Sequence, residues 1–434
     1  MDLPINPQTH DLLTRLLKEE ENLFCKVASV SKDLGFDKLS LLVAKRAISY
    51  EPDNSSVFNI YPELKPIIQQ ILDISQESTS YEIQGYCSLI LGDFPNAFVY
   101  LGKVLPEKMN TSDDFFWYSL GMCYQFFSLL PEACRCFNNA LSNTRLLVSI
   151  PDMYKDIYFR FSLALRAGKD YDQCLSILYR IRDSPPPGVT TEDIMIQIAF
   201  TYQMKELYSK ALEIVDSIIK QYPSLIELYY LQQQLRFQNK PNDVELHNEV
   251  DRYLLSKPND RIIFMLSARI AVANNDLLTA FNKYSFLSLS YSTNPYYWVS
   301  LGYIYYLNKQ LVDAMNAYQR SLLLKLDIPI SWMNIGLIHE EQDQWDEAKT
   351  CYQIAESKCI DNNWFKTRIQ MINQKNCIEM KIIDVLDYDL ISTYPKKFAE
   401  EYIDSIPTLN LSAKIPNEKI DTQAFSTIPI SIFK

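Results

Sequence analysis

The chain has 434 residues, 47% of them hydrophobic and only 9 of them glycine, with a formal net charge of −11. That acidic balance disfavours direct nucleic-acid binding, which calls for a basic footprint, but leaves basic peptide partners open. Scarce glycine argues against dinucleotide-binding and β-rich folds. The 9 cysteines form no C-x2-C pair and read as buried, reduced thiols, and no run is apolar and long enough to span a bilayer.

Residues 1–20 read as a polar lead-in with a short helix around Asp11–Glu20. Ala28, Ser40, Ala44, Ala47 and Pro52 then outline a first helical pair, and Leu64–Ser75 is amphipathic enough for an extra helix. Gly85, Gly92, Phe94 and Ala97 begin a second pair. The third states the rule openly: Trp117–x2–Leu120–Gly121–x2–Tyr124, then Ala133–x3–Phe137. Weaker copies follow at Tyr158, Phe161, Ser162, Leu165, Tyr171, Cys174 and Leu178, and at Ala199, Tyr202, Tyr208, Ala211, Val215 and Pro223. Pro185–Pro186–Pro187 cannot lie inside a helix and must connect two of them. The next copy is degenerate, with Gln233 and Gln234 where Leu–Gly is usual, and Phe264, Ala268, Leu277, Ala280 and Tyr284 outline another. Trp298–x2–Leu301–Gly302–x2–Tyr305 with Ala314–x3–Tyr318 then recurs 34 residues later as Trp332–x2–Ile335–Gly336–x2–His339 with Ala348–x3–Tyr352.

A helix–turn–helix unit of 34 residues is the tetratricopeptide (TPR) pattern. The large residue and the Leu–Gly step share one stripe of a first helix. Gly and Ala let the second helix approach, and the aromatic fills the space beside them. The expected fold is therefore all-α, a TPR right-handed superhelical solenoid of about nine repeats with a capping helix. Repeats start near 21, 78, 114, 155, 192, 227, 261, 295 and 329 and run from 21 to 361. Residues 362–383 are expected to cap the stack, with Trp364–Lys375 helical and Lys366, Arg368, Gln370 and Lys375 on its polar face. Residues 384–434 read as a tail, partly extended or disordered, especially Asp404–Lys434.

No constellation carries catalysis. The 3 histidines are dispersed, and although His247, Glu249 and His339 match an H-x-E…H string, the two histidines fall in different repeats, too far apart for one metal. No phosphate loop or nucleophile elbow is present. The expectation is a non-enzyme with no cofactor and no metal, and a TPR-headed enzyme would need a further domain. Function should lie on the concave face lined by first helices. Groove slots two, five, nine and twelve are Phe115, Tyr118, Met122 and Gln125 in the third repeat. They are Asp193, Ile196, Phe200 and Gln203 in the fifth, and Tyr296, Val299, Tyr303 and Tyr306 in the eighth. These aromatic slots suit a peptide or helix, and they lack the Lys, Asn and Arg that hold chaperone C-termini.

Two irregular features carry a closer likeness. Tyr154–Lys155–Asp156–Ile157–Tyr158–Phe159–Arg160–Phe161 opens a repeat that runs into Pro185–Pro187, after which Thr191–Glu192–Asp193–Ile194 opens the next. The degenerate Leu231–Gln232–Gln233 repeat then precedes the run Asn294–Tyr306 with Asp313, Ala314, Ala317 and Tyr318. This order resembles the TPR subunit of the Ssn–Tup type general transcriptional corepressor, and is similar to the TPR region of UTX-type histone demethylases. The demethylase catalytic domain and the glutamine-rich segments of fungal corepressors are absent from this sequence. The resemblance implies a nuclear, non-catalytic scaffold bridging DNA-binding repressors to a Tup-like WD40 partner, with histone-modifying enzymes as further partners. It implies no direct nucleic-acid contact and no membrane. Carried over, it marks Tyr86, Tyr118, Met122 and Phe126 as partner contacts, and the groove slots add Phe200, Tyr303 and Tyr306. The alternative is a TPR subunit of another assembly, such as a cell-cycle ubiquitin ligase or a ciliary trafficking complex.

Overall fold

The computed structural model describes residues 22–33, 43, 44, 47, 48, 55–142, 151–358, 363–373, 381–390 and 394–405, apart from 63, 110, 223 and 224. The proposed helix at Asp11–Glu20 and almost all of Asp404–Lys434 lie outside the described residues. Among the described residues there are helices and no strands, stacked as TPR pairs: an all-α TPR solenoid. The chain divides into two compact units, residues 1–205 with 397–434, and residues 206–396.

The first unit contains the pairs Tyr81–Ile90 with Phe94–Lys108, Asp114–Phe126 with Leu130–Ala140, and Asp152–Ala167 with Tyr171–Ile181, followed by Thr191–Met204. Most second helices are amphipathic and bury one stripe, as Ala133, Cys136, Phe137 and Ala140 show. First helices are buried on more than one side, because each packs on its own partner and on a neighbouring pair. Asp193, taken above for a groove residue, instead completes a capping box: Thr190 Oγ1 accepts from its backbone N–H at 3.1 Å, and its carboxylate accepts from the Thr190 backbone N–H at 3.0 Å.

The second unit begins with Tyr208–Gln221. It continues with Ile226–Asn239 and Val244–Ser256, Arg261–Ala273 and Leu277–Tyr291, Pro295–Leu307 and Leu311–Leu324, and Pro329–Glu341 and Trp345–Lys358, and Asn363–Asn373 packs on the last of these. In the degenerate pair, Gln233 and Gln234 are buried where a small residue would let the helices meet. A polar bridge stands there instead: Glu249 accepts from Gln233 Nε2 at 3.1 Å and from Arg236 Nη1 at 2.6 Å.

The small-residue reading of the repeat holds at atomic scale. A Cβ placed on Gly121 would lie 2.7 Å from the Phe137 ring, on Gly302 2.8 Å from Tyr318, and on Gly336 2.5 Å from Tyr352. Those three aromatic side chains are fully buried and have no room to retreat. Gly302→Ala is therefore expected to cost a net ~1–2 kcal/mol, because overpacking outweighs the gain in helix propensity. Gly102 is helical too, but a Cβ there meets nothing within 4 Å. Gly102→Ala should raise the urea midpoint while Gly302→Ala lowers it, and a fall at both positions would refute the close-approach argument.

Burial also explains the cysteines. Cys87 and Cys136 are buried, and desolvation pushes each thiol up to about 12, as burial pushes Cys351 up to about 11. These behave as small apolar core residues rather than reactive groups.

Candidate functional site

Each unit carries a set of polar side chains on its first helices that grips a downstream segment of the same chain. Counted from the repeat starts given above, the sixth residue is Ser119, Arg160, Gln197, Ser300 and Asn334, and all five are buried. A buried polar group must find partners.

In the first unit the centre is Asp156, on Asp152–Ala167. Its carboxylate accepts from the Tyr118 hydroxyl, from Arg160 Nε at 3.1 Å and from the Tyr402 hydroxyl at 2.6 Å. Arg160 donates onward to the Ile403 carbonyl at 3.1 Å, the Ser405 carbonyl at 3.1 Å and Ser405 Oγ at 2.8 Å. Its guanidinium also lies 4.9 Å from the Tyr402 ring centroid. Burial by itself would lower the Arg160 pKa, but the Asp156 carboxylate outweighs it and the net direction is up. Tyr402 meets the Phe159 ring edge-on with centroids 4.7 Å apart, and Phe398 lies 6.3 Å from the same ring. Both belong to the helix Tyr394–Ile403.

In the second unit the bound stretch is Lys381–Leu386, which is not helical, followed by one short turn, Asp387–Leu390. Asn334 holds the backbone of Ile383 at both ends: Nδ2 donates to the Ile383 carbonyl at 2.7 Å, and Oδ1 accepts from the Ile383 N–H at 3.1 Å. The Asp384 carboxylate pairs with Arg269 Nη1 and accepts from Ser300 Oγ at 2.8 Å. Arg269 Nη2 also reaches the Val385 carbonyl at 3.2 Å. Asn294, the cap of Pro295–Leu307, donates to the Leu390 carbonyl at 3.1 Å. Ile382, Val385 and Leu390 join the core of the second unit, while Ile383 and Leu386 face outward. Asn334 and Asn294 thus hold main chain, Arg269 and Ser300 hold one carboxylate, and the core takes three apolar side chains.

The seven side chains marked by sequence fall into two groups. Tyr86, Tyr118, Met122 and Phe200 are buried. Tyr86 gives its hydroxyl to Glu82 at 2.7 Å, and the Arg166 guanidinium lies 4.9 Å from the Phe200 ring. Phe126, Tyr303 and Tyr306 are partly exposed. Phe126 stacks on Phe94 with centroids 4.4 Å apart, and Tyr306 donates to Glu341. Tyr303 titrates above its ordinary range, mainly through burial and then through the nearby Asp384 charge. Arg269 occupies slot nine of its repeat, and Ser300 and Asn334 each follow slot five of theirs. The slot reading passed over these three, although their polar character at a buried helical phase is visible in the sequence.

The closing helix is described over Asn363–Asn373, and residues 374–380, with the expected Lys375 end, lie outside the described residues. Arg368, read as solvent-facing, is buried and donates to Glu340 from Nε at 2.9 Å. Polar termini of a stack still need partners, and this one is met inward. Among the described residues no three potential metal ligands converge, and no helix is long and apolar enough to cross a membrane.

No protein-family model and no curated protein matches the chain. Several solved structures do. A tetratricopeptide repeat protein from Parabacteroides merdae is 14% identical, with 70% of this chain and 99% of that one covered and a TM-score of 0.39. Yeast Tom70 is 13% identical, with coverages of 82% and 90% and a TM-score of 0.42. The TPR domain of P58(IPK) is 15% identical, with coverages of 82% and 97% and a TM-score of 0.23. At these identities and scores the likeness carries no functional argument. The repeats themselves, helical pairs closed by glycine–aromatic contacts, carry the TPR solenoid fold.

Proposed function

We propose that the chain is a non-catalytic scaffold of a nuclear corepressor complex, bridging DNA-bound repressors to a Tup-like WD40 partner and chromatin. The scaffold part rests on one observation: the first-helix face of the second unit holds a non-helical segment through its backbone and one carboxylate. Such a face binds peptides without any catalytic group. The corepressor part rests on the sequence resemblance, namely the order of the Pro185–Pro187 link, the degenerate Gln233–Gln234 repeat and the tyrosine-rich eighth repeat. Phe126 in the first unit and Tyr303 and Tyr306 in the second keep partly exposed rings and are assigned to partner contact, while Tyr86, Tyr118, Met122 and Phe200 are buried within the first unit.

Affinity purification of the tagged chain at native abundance tests the assignment. The expected result is recovery of a WD40 protein together with chromatin proteins, reduced when Tyr303 and Tyr306 are both replaced by alanine. Recovery of ubiquitin-ligase or ciliary-trafficking subunits in their place would overturn it and favour the alternative assembly.

A further inference from the structure

We propose that the segment Lys381–Leu390 is an internal stand-in for a partner peptide, and that the face it covers reads a non-helical apolar–x–Asp–apolar sequence, in which x is any residue but proline. This rests on the scaffold reading above and names the ligand class of the same face.

The contacts sort into general and selective parts. Asn334 takes both backbone groups of one residue, so any extended residue other than proline fits there. Selectivity comes one residue later. Arg269 and Ser300 converge on the Asp384 carboxylate, and the Arg269 and Asp384 side chains are only 12% and 14% exposed. A neutral residue there would leave a largely desolvated guanidinium without its counter-charge. Ile382 and Val385 on either side are buried, so both flanking positions demand apolar side chains. Ile383 and Leu386 face out and are unconstrained by the face, at 47% and 40% exposure.

The geometry allows exchange, because the segment is held by side chains of three helices and by no strand or disulfide. It joins the closing helix through residues 374–380, so it competes from within the same molecule. A tethered competitor acts at an effective concentration on the order of millimolar. The face of the unmodified chain is therefore mostly occupied, and an outside peptide binds with its affinity reduced by the fraction of open molecules.

The test uses the full chain and a fluorescent peptide of residues 381–391, followed by anisotropy. Asp384→Lys in the chain sets like charge against Arg269 and evicts the resident segment. The expected result is that the Asp384→Lys chain binds the peptide at least about tenfold more tightly than the unmodified chain. A peptide with alanine at position 384 should bind that chain at least about tenfold more weakly, since its carboxylate contacts are gone. Arg269→Asp in the chain should abolish binding of the natural peptide and accept one with lysine at position 384. Helix content by circular dichroism verifies that each variant is folded. A folded Asp384→Lys chain that binds neither peptide, or both equally, would overturn the proposal and make the segment a fixed structural part. That outcome leaves the corepressor assignment standing, because the purification experiment reads a different property.

Discussion

Replacing Asp156 with alanine is expected to destabilise the first unit by about 3–5 kcal/mol, the range for breaking one side of a buried ion pair. The pair is buried on both sides, at 1% side-chain exposure each. After the substitution Arg160 keeps only neutral acceptors, the Ile403 and Ser405 carbonyls and the Ser405 hydroxyl. Tyr118 and Tyr402 lose a shared acceptor at the same time. Denaturant midpoints, with hydrogen exchange over Asp152–Ala167 as a local readout, measure the loss. The double variant Asp156→Ala/Arg160→Met should recover most of it, because an apolar pair needs no counter-charge. A single variant within about 0.5 kcal/mol of the parent, the range of ordinary surface changes, would show that Asp156 holds nothing together.

The second large effect is expected at Glu340. Its carboxylate accepts from Arg368 Nε at 2.9 Å and from the Tyr352 hydroxyl at 2.6 Å, and pairs with Arg368 Nη2 as well. Side-chain exposures of 4% for Arg368 and 8% for Glu340 place this pair in the core. Glu340→Ala should cost about 3–5 kcal/mol by the same mechanism. The loss should be concentrated in Asn363–Asn373, because Arg368 belongs to that helix. Hydrogen exchange there should rise to the level of a frayed end while Arg261–Ala273 stays protected. Glu340→Gln keeps an acceptor for Tyr352 and loses only the charge, so it should fall between the two. Uniform loss of protection across the second unit would mean that Glu340 supports more than the closing helix.

What the sequence discloses follows from range. The Gly121–Phe137, Gly302–Tyr318 and Gly336–Tyr352 contacts each join residues 16 apart, within one repeat, so a short periodic pattern predicts them. The helices beside them have the same local origin. Asn334 meeting Ile383 spans 49 residues, and Arg160 meeting Ser405 spans 245. No local period encodes such pairings, and the segment 381–386 has none of its own. Arg368 looked solvent-facing because charge suggests solvent; its partner Glu340 lies 28 residues back on another helix. The aromatic slots attracted notice by size, whereas the residues that hold the segment are Arg269, Ser300 and Asn334, two of them small. A polar residue in the buried phase of a first helix was the readable signal.

A linear array of repeats normally unfolds piecemeal, since each module senses only its neighbours. The stretch around Asp384 changes that arithmetic for the second unit. It links Arg269, Ser300 and Asn334 across three successive modules, through contacts separated by 115, 84 and 49 residues. Those long loops close only after the modules have formed, so docking of the stretch should be a late kinetic phase. Once docked, it lends the modules a shared fate: opening one strips contacts from all three. Cooperativity in this part of the molecule is thus an adjustable quantity, high with the stretch in place and low without it.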